Sequence, residues 1–187
     1  MQDNLLGYNE EGKSNSYTFY GVLLLILLVV FYLSTSVFSL VKVEGSSMYS
    51  TLVDGDVLFV NRALKADRGD VIVFDYPSHG MVIKRVIAIE GDEIKCENDK
   101  VHIKYAGTNE FVILNEPYLS VDTPYFPSAV IGEGELFVMG DNRPISEDSK
   151  IYGPIKKEYV KGVVTKSTIK NKKVITSLFG WAFKFSE

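Results

Sequence analysis

Apolar and polar positions divide the chain into two unlike parts. Between Lys13 and Lys42 no charged residue occurs, and from Phe19 to Val41 the side chains are almost all apolar. A helix needs about 20 apolar residues to cross the hydrocarbon core of a bilayer, and this run is long enough. Tyr17 and Tyr20 stand where an interfacial aromatic belt would begin. A cleaved signal peptide is one alternative, but it has a basic start and a shorter apolar region. Here Asp3, Glu10 and Glu11 outweigh Lys13. A buried core helix is the other alternative, and one with no polar face would be unusual in so small a domain. The pattern predicts a retained transmembrane anchor over residues 19–41 behind a short tail over residues 1–18. Lys13 and Lys42 flank the run on opposite sides, so the positive-inside rule gives no orientation.

Beyond Lys42 the pattern changes to short apolar runs punctuated by Gly, Asp, Asn and Pro. Runs at 57–60, 71–74, 82–89, 101–105, 111–114, 136–139 and 160–169 have the length and β-branched enrichment of strands. Residues 42–187 therefore read as a mainly β, single domain, large enough for its own core. Helical periodicity is scarce, with residues 155–160 offering a short turn or helix. Residues 115–135 contain three prolines and predict a surface loop or extension. The aromatic C-terminal segment around Phe179, Trp181, Phe183 and Phe185 fits a terminal strand over the core. It also fits aromatics dipping into a membrane interface.

The chain has 187 residues and a formal net charge of -4. Without a dense Lys/Arg stripe to neutralise phosphates, no nucleic-acid partner is expected. The single cysteine, Cys96, allows no intrachain disulfide and reads as a small, partly buried side chain rather than a nucleophile. His79 and His102 have no ligand-like spacing and read as surface residues, so neither a metal nor a cofactor is expected.

Three segments carry candidate chemistry. Gly45, Ser46, Ser47, Met48, Tyr49, Ser50, Thr51 and Leu52 follow the anchor directly, and a serine in such a stretch is most often a turn residue. Lys84 lies in a strand where Val82, Val86 and Ala88 share its face, while Arg85 lies with Ile83 and Ile87. Burial depresses a lysine pKa, and a neutral lysine is a competent base for a serine hydroxyl. The alternative is a lysine whose stem packs while its amine reaches water or a carboxylate. Arg85, always charged, is expected to pair with an acidic residue. The third segment, Gly140, Asp141, Asn142, Arg143, Pro144, Ile145, Ser146, Glu147, Asp148, Ser149, follows an apolar strand. Ser146 could hydrogen-bond the lysine nitrogen, while Asp141, Arg143 and Asp148 could form fixed ion pairs.

The order of anchor, Ser-Met segment, Lys-Arg strand and Gly-Asp-Asn-Arg-x-x-Ser-x-Asp-Ser segment resembles type I signal peptidases, in their short bacterial form. The resemblance runs from about Tyr20 to the C-terminus. It implies a single β-rich catalytic domain of signal-peptidase type behind one N-terminal transmembrane helix. It also implies Ser47 as nucleophile, Lys84 as general base, Ser146 as a residue orienting Lys84, and Asp141, Arg143 and Asp148 as supports. Two departures stand out. Ser50 replaces the proline of the common Ser-Met-x-Pro-Thr-Leu pattern, which removes a fixed φ. Gly45 stands two before the nucleophile, where some members have serine, so the oxyanion hole would rest on the Ser47 N–H with help from Ser46.

The implied activity is removal of signal peptides from secreted or surface preproteins, with small side chains at the first and third residues before the cut. The implied partners are preprotein signal peptides and membrane lipid. The implied placement is the plasma membrane, with the N-terminus cytoplasmic and the β domain outside. Some streptococcal-type relatives lack the Ser-Lys pair and serve pilus assembly. A non-catalytic or narrowly specific assembly factor acting on pilus subunits is therefore the alternative, although this chain keeps both residues. A self-cleaving repressor type is disfavoured by the anchor.

Overall fold

The computed structural model describes residues 11–76 and 80–183. Asp3, Glu10, His79 and Phe185 lie outside the described residues. The chain divides into two compact units, residues 1–37 and residues 38–187.

In the first unit, α1 (Glu11–Val37) is one helix. Its stretch Ser16–Val37 has the length and composition to cross a membrane. At about 1.5 Å per residue it spans roughly 33 Å, close to the hydrocarbon thickness of a bilayer. Leucine, valine and aromatic side chains are exposed on every side of it, which suits lipid rather than water. Near its end, the hydroxyls of Ser34, Thr35 and Ser36 donate to the carbonyls of Val30 and Tyr32 at 2.8–2.9 Å. Those polar groups are thereby satisfied within the helix. The apolar run does not stay helical to residue 41. Phe38–Lys42 is strand β1, because pairing with a neighbouring strand captures it.

The second unit is mainly β. After β1 come β2 (Val57–Asn61), β3 (Val71–Tyr76), β4 (Gly80–Ile89), β5 (Glu93–Glu97) and β6 (Lys100–Lys104). The short strands β7 (Val112–Ile113) and β8 (Ala129–Val130) precede β9 (Glu135–Met139), β10 (Ile155–Lys156) and β11 (Val160–Val164). Seven strands form one sheet in the order β1-β2-β11-β3-β4-β9-β10, and four form a second, β7-β6-β5-β8. One face of the large sheet packs Val71, Val73 and Val164 with Met48 and Leu52. The other face packs Ile72, Phe74, Val86 and Val138. Ile94, Val101 and Ile103 of the small sheet pack with Phe126 and Phe137.

Several expectations need correction. The β4–β9 register shifts between Val86 and Ala88. Lys84 therefore shares a face with Val82 and Val86, but Ala88 turns away with Ile87 into the cluster of the small sheet. The predicted strand over 160–169 stops at Val164. Thr165 caps a helix, α3 (Lys166–Phe179), followed by a 3-10 turn, Gly180–Phe183, so Phe179, Trp181 and Phe183 lie in no strand. Thr168, Ile169, Val174, Ile175 and Thr176 favour strand locally, and packing of this segment over β2 overrides that preference. Residues 115–135 are largely irregular but not all surface, since Thr123, Phe126 and Ile131 are buried. His102 is half-buried on β6 rather than a surface residue. Cys96 is buried, with its thiol 3.4 Å from the Thr123 carbonyl.

Candidate active site

Ser47 sits on the turn between β1 and β2. Gly45, at φ 80°, supplies the left-handed bend that takes the chain out of β1. Its N–H donates to Asp54 Oδ1 at 2.8 Å. Met48 and Leu52 are 2% and 0% exposed and draw the turn into the core, leaving Ser46, Tyr49 and Ser50 outside and Ser47 half-buried. The Leu52 N–H donates to the Met48 carbonyl at 2.8 Å. The Tyr49–Ser50 peptide bond is cis. Asn142 holds the serine from the other side. Its backbone N–H donates to the Ser47 carbonyl at 2.9 Å and its side-chain amide to the Ser46 carbonyl at 3.2 Å.

Lys84 reaches this turn from β4. Its Nζ lies 2.7 Å from Ser47 Oγ, and the residue is only 6% exposed. Burial pushes the ammonium pKa down; Asp148 opposes that shift, Lys150 adds to it and Glu147 opposes it. A lysine so placed is biased toward the neutral amine, which can receive the Ser47 proton.

The segment after β9 holds the pair in place. Asp148 Oδ2 accepts the Gly140 N–H at 2.9 Å, and Lys150 Nζ lies 2.7 and 2.9 Å from the two Asp148 oxygens. Asp148 also caps the short helix α2 (Ser149–Tyr152) by accepting the Lys150 N–H. Asp141 pairs with Arg85 through two hydrogen bonds of 2.7 and 2.9 Å. Burial works against the Arg85 charge, and Asp141, Tyr118 and Glu116 together outweigh it. The Arg85 guanidinium also lies 3.9 Å from the centre of the Tyr118 ring. Arg143, fully buried, pairs with Glu116 and donates to Thr123 Oγ1 at 2.7 Å and to the Gly140 carbonyl at 3.1 Å. Burial and then Glu116 raise the Tyr118 pKa.

Ser146 is buried beside Gly140, but its Oγ makes no hydrogen bond. The hydrogen bond from Ser146 to Lys84 expected from the sequence is not formed. Gly140 has no room for a side chain: a Cβ there would lie 2.4 Å from the Ser47 carbonyl oxygen and 2.3 Å from Ser146 Oγ. Gly140→Ala is therefore expected to push the Ser47 backbone aside and lower turnover about 10²-fold, the effect of a displacement near 1 Å. Steady-state kinetics on protein of unchanged circular dichroism checks this.

Sequence reading missed Glu116, Tyr118, Thr123, Gly140, Asn142 and Lys150. Gly140, Asn142 and Lys150 lie within or beside the recognised segment. Glu116, Tyr118 and Thr123 lie in a proline-punctuated loop with no local signal.

A cleft of about 420 Å³ lined by Ser46, Phe74, Val82, Val138 and Ile145, among others, opens at Ser47 and Lys84. A second, of about 380 Å³, approaches the same pair past Gly45, Met48, Met81 and Ile83. Strand β4 pairs with β9 only from Arg85 onward. Among the described residues, the corresponding edge of β4 before Arg85 has no strand partner, and that edge leads to Ser47.

A hydroxyl held against a buried amine, on a β scaffold with an open strand edge, has the parts a serine peptidase requires. Over residues 16–168 the chain matches the sequence model of the family described as signal peptidase, peptidase S26. The chain belongs to this family and is a serine endopeptidase. Signal peptidase I V of Bacillus subtilis is 31% identical over 137 residues, covering 66% of this chain and 82% of that protein. Signal peptidase I of Streptococcus pneumoniae is 31% identical over 179 residues, covering 76% of this chain and 88% of that protein. A solved signal peptidase I from Enterococcus faecalis is 33% identical, covers 55% of this chain and 98% of that chain, and has a TM-score of 0.47.

Proposed function

We propose that the chain is a membrane-anchored signal peptidase that cuts N-terminal signal peptides from preproteins, with Ser47 as nucleophile and Lys84 as general base. The 2.7 Å approach of Lys84 Nζ to Ser47 Oγ, with the lysine buried, carries this reading. Neutral Lys84 takes the Ser47 proton as Oγ attacks the scissile carbonyl, then returns it to the leaving amine. The amide bond breaks and an ester to Ser47 remains. Water, losing a proton to Lys84, hydrolyses that ester and frees Ser47. The Ser47 N–H, with Ser46 nearby, is the oxyanion donor. Asp141, Arg143 and Asp148 hold the frame, and Ser146 packs beside it.

The open edge of β4 suits an extended peptide added as a strand, with alternate side chains entering the clefts beside Ser47. Small residues at the first and third positions before the cut fit this mode. Helix α1 is the anchor in lipid, the N-terminus is cytoplasmic and the β unit lies outside the cell. A pilus-assembly factor that binds without cutting would not need Lys84 held against Ser47, and nothing in the site favours it.

The pH profile of kcat/KM tests the base. Because burial lowers the Lys84 pKa and the neutral form is active, kcat/KM rises with pH through that pKa and then levels. A rate that falls as pH rises across this range, or an unchanged rising limb in Lys84→Met, would remove Lys84 as the base.

A further inference from the structure

The family match ends at residue 168, just inside α3, yet the rest of that helix reaches the turn that carries Ser47. Lys172 Nζ donates to the Thr51 carbonyl at 2.7 Å and lies 2.8 Å from Asp56 Oδ2. The same carboxylate oxygen accepts the Val53 N–H at 2.9 Å. The Asp56 carbonyl in turn accepts the N–H of Val43, at the entrance to the turn. One helical turn further on, Thr176 Oγ1 accepts the Val57 N–H at 2.8 Å. Ile169 packs against the cluster containing Met48 and Leu52. Positions 169, 172 and 176 are spaced by three and four, so they form one stripe of α3. That stripe grips the Ser47 turn at its core side, its end and its exit.

The contacts are chemically well placed. The Lys172 side chain is 17% exposed and that of Asp56 is 8% exposed, so solvent screens their charged hydrogen bonds little. Ser50 has no ring to fix its φ, so the turn is not stiffened from within at that position.

We propose that Lys172 is a positioning residue for Ser47. By tying Thr51 and Asp56 to α3, it fixes the turn in which Ser47 Oγ meets Lys84 Nζ, while Asn142 holds the opposite side. This rests on Ser47 being the nucleophile. Lys172 lines neither cleft, so its removal acts on turnover and leaves substrate binding alone.

The test uses the full chain in detergent, comparing Lys172→Met, Lys172→Arg and, as a control on the exposed side of α3, Lys170→Met. Lys172→Met is expected to lower kcat about tenfold or more, as a small displacement of a reacting group does, with KM within about twofold. Lys172→Arg, which keeps charge and donors, restores most of kcat, and Lys170→Met matches wild type. Hydrogen exchange over residues 46–53 is expected to quicken in Lys172→Met alone. Unchanged exchange there overturns the proposal. So does a lowered Tm with unchanged kcat per Ser47 titrated by a serine-directed acylating probe, because that marks a purely structural role. If the wild type cuts no precursor, the signal-peptidase reading fails, while exchange and the probe's acylation rate still decide the role of Lys172.

Discussion

Lys84→Met is expected to abolish cleavage and stabilise the protein at the same time. Loss of a general base alone lowers turnover about 10²- to 10⁴-fold, and no other amine is bonded to Ser47 among the described residues. The stability gain follows from the sign of the pKa shift. Burial depresses the pKa of Lys84 in the folded state, whereas in the unfolded chain it is near the ordinary value of about 10.4. Between the two values the unfolded chain binds more protons, so stability falls as pH falls through that window. Below the folded-state pKa the full destabilisation is present. Methionine fills much the same volume without a charge to desolvate. A gain in stability at neutral pH is expected, seen as a rise in Tm. Calorimetry beside a cleavage assay checks both halves. A variant that cuts within tenfold of wild type, or melts well below it, would contradict the assignment.

The second large effect is predicted for Asp141→Asn. Asp141 and Arg85 are both buried and joined by two hydrogen bonds. Removing the carboxylate leaves the Arg85 charge uncompensated, which costs about 3–5 kcal/mol and lowers Tm by roughly 10 °C. Arg85 follows Lys84 on β4, and Asp141 follows Gly140 in the segment that holds the Ser47 carbonyl. The ion pair therefore joins the strand of Lys84, the proposed base, to the support of Ser47, the proposed nucleophile, and turnover should fall even where the variant stays folded. The double variant Arg85→Met with Asp141→Asn removes the stranded charge and is expected to recover part of the Tm. Melting curves of the single and double variants measure this. If Asp141→Asn alone melts like wild type, the pair does not hold the site together.

The parts of the site that were legible in the sequence are those where local pattern and tertiary environment agree. Lys84 sits in an apolar run that reads as a central strand, and it is central. Asp141, Arg143 and Asp148 cluster within eight residues, and each has an ion-pair partner as expected. Of those partners, Arg85 was foreseen as ion-paired, whereas Glu116 and Lys150 were not identified. Glu116 comes from a loop 27 residues away in sequence, a separation that periodicity cannot bridge. The bulge after Val86 was invisible because alternation is read as if strands were regular. Helix α3 was missed because its β-branched residues favour strand, and only its stripe against β2 and the Ser47 turn makes it a helix. Ser146 shows the opposite limit. Its place beside Gly140 follows the motif, but its hydroxyl makes no bond to Lys84.

The most direct measurement is cleavage of a purified preprotein with a small-x-small site by the full chain in detergent, alongside Ser47→Ala and Lys84→Met, with the new N-terminus read by mass spectrometry. The wild type is expected to make one cut directly after that site and neither variant any, with all three folded. A wild type that binds the precursor without cutting it, or a Ser47→Ala protein that still cuts, would contradict it.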